Sequence, residues 1–264
     1  MPQLTVGDTR LYFRLEGRDG LPRLLLLHPV GADHSLWDAV VPQLTPRFQV
    51  LRPDLRGHGG SSTPAQDDYR VESLADDVLG LCDALGWDTF AVCGVSLGGI
   101  TALQMAVQAP QRLTALALCS AAARMQEPPG GGWRARAEAV RAHGLAGGAD
   151  GMVERMFSPA HRATNDPLVD TLRHVFVHTD PAGFAASLAV LRDADLVPAL
   201  PSLALPALVV TGQHDPLIPA QAVQALLDGL PNARHVELDT GHFPPVEAPQ
   251  AFADALAVFC QAAA

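Results

Sequence analysis

Basic residues, cysteines and long apolar runs are all scarce in this chain, and each shortage closes off a class of function. Lys and Arg together number 18 against 28 Asp and Glu, for a formal net charge of −10 over 264 residues. With no basic cluster among them, nucleic acid is not expected as a partner, and the charge is read as solubility. No apolar stretch reaches membrane-spanning length, so no membrane partner is expected. The opening Met1-Pro2-Gln3-Leu4-Thr5 lacks a basic region followed by an apolar run, so no secretory signal is expected. Cys82, Cys93, Cys119 and Cys260 lie far apart and form no C-x-x-C, which suits buried thiols in a reducing cytosol. Ten histidines are present without an H-E-x-x-H or a cysteine pair, so neither a metal nor another cofactor is called for. The expected compartment is the cytoplasm, and self-association is left open.

What the chain does have is Gly94-Val95-Ser96-Leu97-Gly98, a G-x-S-x-G. The apolar run Thr89–Cys93 before it reads as a buried strand, and Ile100–Val107 after it reads as a buried helix ending at Pro110. Strand, sharp turn and helix form the context in which this pattern presents a nucleophilic serine. Gly94 and Gly98 lack the Cβ atoms that a tight turn would exclude. A helix N-terminus beside the serine offers free backbone N–H groups to a developing negative charge.

In chain order, Leu4–Val6, Gly7-Asp8 and Leu11–Leu15 read as a hairpin. Leu24–Leu27, bounded by Pro22 and Pro29, reads as a central strand buried on both faces. Leu36–Leu44 is expected to be helical, with Ser35 as its cap, and Phe48–Leu51 is the next strand. Asp54–Ser61 is a Gly-rich loop. Val71–Gly86 repeats Leu74, Val78, Leu81 and Leu85 at helical spacing, and Leu113–Leu118 is another strand. From Arg124 to Asp195 the texture is helical after a break at Pro128–Gly132, with segments at 133–144, 152–157, 167–178 and 183–193. Alternation then resumes with the strand Ala207–Thr211, a helix 220–230, the strand His235–Leu238 and a last helix 249–262. This is an α/β pattern: a mostly parallel sheet flanked by helices, with ligands at the C-terminal strand ends. The expected division is a core of residues 1–123 and 196–264 interrupted by a helical cap, 124–195.

A serine hydroxyl needs a base, and the base needs an orienting carboxylate. In the order serine, acid, histidine, Asp215 and His242 fit, each following a strand. Asp239 competes for the acid's place, and chain order alone does not separate the two; the strand-end position favours Asp215. His214 is expected to face away. The oxyanion donors are expected to be the N–H groups of Leu97 and of Val30, since Pro29 has none. His28 is read as a structural loop histidine.

These residues resemble the α/β-hydrolase superfamily over nearly the whole chain: the H-P-V-G loop at 28–31, D-L-R-G-H-G-G-S at 54–61, G-V-S-L-G-G at 94–99, Gly212–Asp215 and Gly241-His242. Within it the chain is most similar to the 3-oxoadipate enol-lactonases. The matching stretches are Gly31–Asp33 with Leu36-Trp37, Cys119 with Ala122–Arg124, Val175–Asp180 and Ala194–Leu196. The chain departs from those enzymes at His28-Pro29 and around Pro128–Gly132. The resemblance implies an α/β-hydrolase fold, a Ser-His-Asp triad and a small lactone or ester as substrate, an enol-lactone of aromatic catabolism first. A broad carboxylesterase with perhydrolase side activity is the alternative, and a ligand-binding protein on the same fold is a further one. Ser96 argues against haloalkane dehalogenase and epoxide hydrolase chemistry, which need a carboxylate at that position. Trp133 and Phe157 are expected to wall the substrate pocket, with ordinary packing as the competing role. An enol-lactone would carry a free carboxylate, which the net charge of −10 cannot attract. A local arginine must hold it. Of Arg124, Arg134, Arg136 and Arg141, the expected pair is Arg134 and Arg136.

Overall fold

The computed structural model describes residues 2–64, 69–127 and 132–263. The first hairpin pairs β1 (Gln3–Val6) with β2 (Thr9–Glu16) across a turn in which Gly7 has φ +57°. β3 (Arg23–Leu27) follows, and its four leucines are wholly buried. Next comes a 3-10 turn, His34–Trp37, and the short α1 (Val41–Leu44). Ser35 is not the cap here. Asp33 is: its Oδ1 accepts the Ser35 N–H at 2.9 Å and the Ser35 hydroxyl at 2.5 Å. The 3-10 turn begins at His34, so the capping position falls on Asp33, whose carboxylate reaches the Ser35 amide.

β4 (Gln49–Pro53), α2 (Val71–Ala84), β5 (Phe90–Val95), α3 (Leu97–Gln108) and β6 (Leu113–Cys119) continue the alternation. Beyond the insertion come β7 (Ala207–Gly212) and β8 (Ala233–Leu238). The eight strands order β1-β2-β4-β3-β5-β6-β7-β8, antiparallel at β1–β2 and β2–β4 and parallel from β4 to β8. β3 lies between β4 and β5 and is covered on both faces, which is why it reads as an unbroken leucine run. β8, on the outer edge, has no fully buried residue. The parallel order aims the ends of β3, β5, β6, β7 and β8 at one rim, where Ser96, Asp215 and His242 are carried.

Among the described residues, five α-helices occupy the stretch between β6 and β7: α4 (Gly132–His143), α5 (Ala149–Met156), α6 (Pro159–Arg162), α7 (Pro167–His178) and α8 (Pro181–Asp193). The insertion leaves and rejoins the sheet through an antiparallel bridge between Arg124 and Asp195. An ion pair between the same two side chains at 3.1 Å and a hydrogen bond from Leu196 N–H to the Ala123 carbonyl at 2.8 Å close that neck. The expected break at Pro128–Gly132 lies outside the described residues up to Gly131. The remaining helices are α9 (Ala220–Gly229), α10 (Pro244–Glu247) and α11 (Pro249–Ala263). Among the described residues no helix is long and apolar enough to cross a membrane. All four cysteines are buried free thiols.

Candidate active site

Ser96 stands between β5 and α3 at φ +52° and ψ −112°, a backbone region that a non-glycine residue rarely adopts. Holding it there costs about 1–3 kcal/mol, supplied by the surrounding packing. A Cβ on Gly94 would lie 2.1 Å from the Gly98 carbonyl oxygen, and one on Gly98 would lie 2.2 Å from that of Leu27. The two glycines therefore let the turn close on itself and on the end of β3. The Ser96 N–H donates to the Cys119 carbonyl at 3.0 Å, which fixes the turn to β6.

Asp215 and His242 meet at this rim. His242 Nδ1 lies 2.8 Å from Asp215 Oδ2, with both side chains almost fully buried. Asp215 Oδ1 accepts the Leu217 N–H at 2.8 Å. Burial pushes the Asp215 carboxyl up. The His242 imidazole and the Leu217 N–H outweigh that and hold its pKa below the usual carboxylate range. A charged Asp215 keeps the proton on Nδ1 and leaves Nε2 as an acceptor. Asp239 pairs instead with His214 at 2.7 Å on the exposed surface. The geometry thus separates the two aspartates that chain order left open.

Leu97 is the first residue of α3, where an N–H has no partner inside the helix. Neither its N–H nor that of Val30 donates to another described residue. Val30 is held by its neighbours. His28 is buried, with Nδ1 2.8 Å from the Pro29 carbonyl and Nε2 accepting the Leu55 N–H at 2.9 Å. Burial lowers the His28 pKa, so the ring is neutral and fastens this loop to β4's exit. Gly31, at φ +74°, lies under Phe176 and Phe184, whose rings would stand 2.9 and 2.8 Å from an added Cβ.

Ser96 and His242 open into one cavity of about 760 Å³ between the sheet rim and the insertion. Val30, Trp133 and Arg136 line it. Arg134 and Phe157 do not, which corrects two of the four expected pocket residues. Arg134 is exposed, because residues two apart on a helix point to opposite sides. Phe157 is buried behind the site, edge-on to Phe243 at 5.4 Å and stacked on His161 at 5.6 Å. Arg124 is tied to Asp195 at the neck. Arg155 takes the place given to Arg134. It lies on α5 with Met152 and Met156, and all three line the cavity at i, i+3 and i+4. Burial, and then the nearness of Arg155, lowers the pKa of Arg136. Neither arginine has a carboxylate partner among the described residues. The buried Trp133 Nε1 has no partner either.

Among the described residues one group, Asp33, His34 and Asp54, brings metal-ligand atoms within 4.8 Å of one another. The oxygens of Asp54 are already engaged: Oδ1 takes the His34 N–H and Nδ1 at 2.8 Å each, and Oδ2 takes the Gly60 N–H at 2.8 Å. The group reads as a hydrogen-bonded brace for the 28–37 loop.

Residues 22–249 match the family described as alpha/beta hydrolase fold. The chain is 31% identical over 249 residues to 3-oxoadipate enol-lactonase 2 of Acinetobacter baylyi, covering 94% of this chain and 92% of that protein. Its structure superposes on the enol-lactonase from Burkholderia xenovorans LB400 with a TM-score of 0.94 at 35% identity, over 98% of this chain and 100% of that one. A thermophilic esterase from Thermogutta terrifontis, solved with malate bound, gives a TM-score of 0.90 at 30% identity, over 100% and 99% of the two chains.

Proposed function

The chain belongs to the alpha/beta hydrolase family and is an ester or lactone hydrolase by kinship; on that premise we propose that it opens a small, carboxylate-bearing lactone through an acyl-enzyme on Ser96. The observation that carries this reading is the buried Asp215–His242 pair opening beside Ser96 into a cavity that also holds two uncompensated arginines.

In this reading the Ser96 oxygen attacks the lactone carbonyl as His242 Nε2 takes its proton. Asp215 keeps the ring in the required tautomer and stabilises the imidazolium. The negative charge on the former carbonyl oxygen is met by the N–H groups of Leu97 and Val30. When the tetrahedral intermediate collapses, the ring C–O bond breaks and His242 returns the proton to the leaving oxygen. An enol leaving group needs little of that help, since its own charge is delocalised. Water, deprotonated by the same imidazole, then releases the acid and regenerates Ser96. Residues 124–195 act as a cap that keeps bulk water from the acyl-enzyme and supplies the pocket wall.

Arg136 and Arg155 hold the free carboxylate of the substrate. The chain contains no lysine, and all 18 of its basic side chains are arginines. Two of them in one cavity repel each other until an anion arrives, which favours a charged substrate over a neutral one. A 3-oxoadipate-type enol-lactone fits these demands first. A broad carboxylesterase is the second reading, favoured by the room in a 760 Å³ cavity and by its methionines Met125, Met152 and Met156, which adapt to varied shapes.

The test is a substrate panel of 3-oxoadipate enol-lactone, a saturated γ-lactone and p-nitrophenyl acetate. The highest kcat/KM is expected on the enol-lactone. Turnover of the aryl ester with none of the enol-lactone makes the protein a carboxylesterase instead.

A further inference from the structure

The corner between α5 and α6 meets the His242 loop at a junction that the reaction above leaves unused. The Gly241 N–H donates to Glu247 Oε1 at 2.9 Å. From the insertion, the Ser158 N–H reaches both Glu247 oxygens at 3.2 Å. The His242 backbone N–H donates to the Met156 carbonyl at 2.8 Å. Three strands of chain therefore converge on one carboxylate and one carbonyl. Gly241 leaves no slack: a Cβ there would lie 2.7 Å from Ser158 N and 2.8 Å from both Glu247 Oε1 and the Met156 oxygen. From the other side Gly212 closes against the same loop, where a Cβ would stand 1.9 Å from the Gly241 carbonyl oxygen.

We propose that Glu247 is a positioning residue: its carboxylate ties the insertion to the loop of His242, so that the imidazole is held for work at Ser96 while the α5–α6 corner is seated. This rests on the reading of His242 as the general base. A charged acceptor makes stronger hydrogen bonds to amides than a neutral one. Without Glu247 the Gly241 and Ser158 amides would be left unpaired in a half-buried corner. The side chain of His242 is already fixed at Nδ1 by Asp215, so its remaining freedom is that of its backbone, and this junction restrains it.

The experiment compares p-nitrophenyl acetate turnover in the full-length wild type and in Glu247→Ala, Glu247→Gln, Ser158→Pro and Ser158→Ala, alongside the low-field NMR signal of the His242 Nδ1 proton. Glu247→Ala is expected to lower kcat by about ten- to a hundredfold with KM unchanged, the cost of a base displaced by a fraction of an ångström. Glu247→Gln is expected to recover most of kcat, because its amide oxygen still accepts both N–H groups. The low-field signal should persist in the Gln variant and broaden in the Ala variant. Ser158, at φ −60° and ψ 152°, already has proline's backbone, so Ser158→Pro removes the insertion's donor to Glu247 and sets a ring carbon against the carboxylate, which breaks the tie from the insertion's side. It should lower kcat by a smaller factor than Glu247→Ala, while Ser158→Ala, which loses only the α6 cap hydroxyl, keeps the wild-type value. Wild-type kcat and signal in Glu247→Ala overturn the proposal, as do equal losses in the Ala and Gln variants. Should Glu247→Ala not fold, Ser158→Pro decides, and a kcat equal to that of Ser158→Ala overturns it. A wild type inert toward the ester brings down the acyl-transfer reading first; an active wild type with any of the contrary results removes Glu247 alone.

Discussion

The guanidinium carbon of Arg136 lies 5.7 Å from the centroid of the Phe184 ring, and one carbon of the same ring closes on Gly31 in the loop that carries the Val30 amide. One phenyl ring thus touches both a half-buried cation and the loop of the expected oxyanion donor. The ring's negative faces suit the guanidinium and keep water away from it. Burial lowers the Arg136 pKa, yet an arginine remains protonated at any working pH. The charge therefore stays available to a substrate anion.

Arg136→Ala and Arg155→Ala should each cost about ten- to a hundredfold in kcat/KM on an anionic lactone, the value of one charge-assisted contact. Neither should much change p-nitrophenyl acetate hydrolysis. Arg134→Ala, on the exposed side of α4, should leave both substrates alone. Equal losses on the two substrates would reduce the arginines to packing.

Asp215→Asn should lower kcat by about 10⁴, since an amide cannot hold the imidazole in the same tautomer. Asp239→Asn should have little effect, because Asp239 serves only the exposed His214. Steady-state kinetics on the two variants check the assignment; the reverse ranking would transfer the orienting role to Asp239.

The pKa of Asp215 is held below the usual carboxylate range, so this group stays ionised from about pH 5 upward. Above pH 5, therefore, Asp215 should add no step to the acid limb of kcat/KM, whose slope there should not exceed one. A slope of two above pH 5 would show that the carboxylate is being protonated in that range.

A stability prediction follows from the brace between His34 and Asp54. Burial acts to lower the His34 pKa, but the hydrogen bond to Asp54 outweighs it and the net shift is upward. Burial acts to raise Asp54, and its bond to His34 leads the groups that bring it below the ordinary value. A raised histidine stabilises fully below its unfolded pKa of about 6.5 and loses that contribution as pH climbs through its folded value. The depressed Asp54 contributes above about pH 3.9 and loses its share as pH falls through its lower folded value. The pair therefore works best between about pH 4 and 6.5. The difference in Tm between wild type and His34→Gln should be larger at about pH 5.5 than at about pH 9. A difference independent of pH would assign His34 to packing alone.

The fold was legible because its strongest signals are local. The leucine run of β3 and the glycine pair around Ser96 each admit one reading, since burial on both faces and a closed turn leave few other sequences. Asp215 and His242 were legible from chain order, but the rejection of Asp239 was not; that required seeing it meet His214. In the insertion, spacing located α4, α5, α7 and α8 without fixing their faces, and it missed the single turn of α6. Arg134 and Arg136 are adjacent in composition but opposed in direction. Arg155 does not follow from the spacing either: it is itself exposed and reaches the cavity from the edge of the face that buries Met152 and Met156. Glu247 could not be read from the sequence at all, because its work is to accept backbone N–H groups, which every residue but proline carries.

The central claim is that Ser96 is acylated during turnover. Intact-mass spectrometry after reaction with a fluorophosphonate, followed by peptide mapping, tests it most directly. The account predicts a single adduct, mapped to Ser96, that abolishes ester hydrolysis and is absent from Ser96→Ala, whose residual activity is about 10³-fold over water. An adduct on another residue, or full hydrolysis by Ser96→Ala, would contradict it.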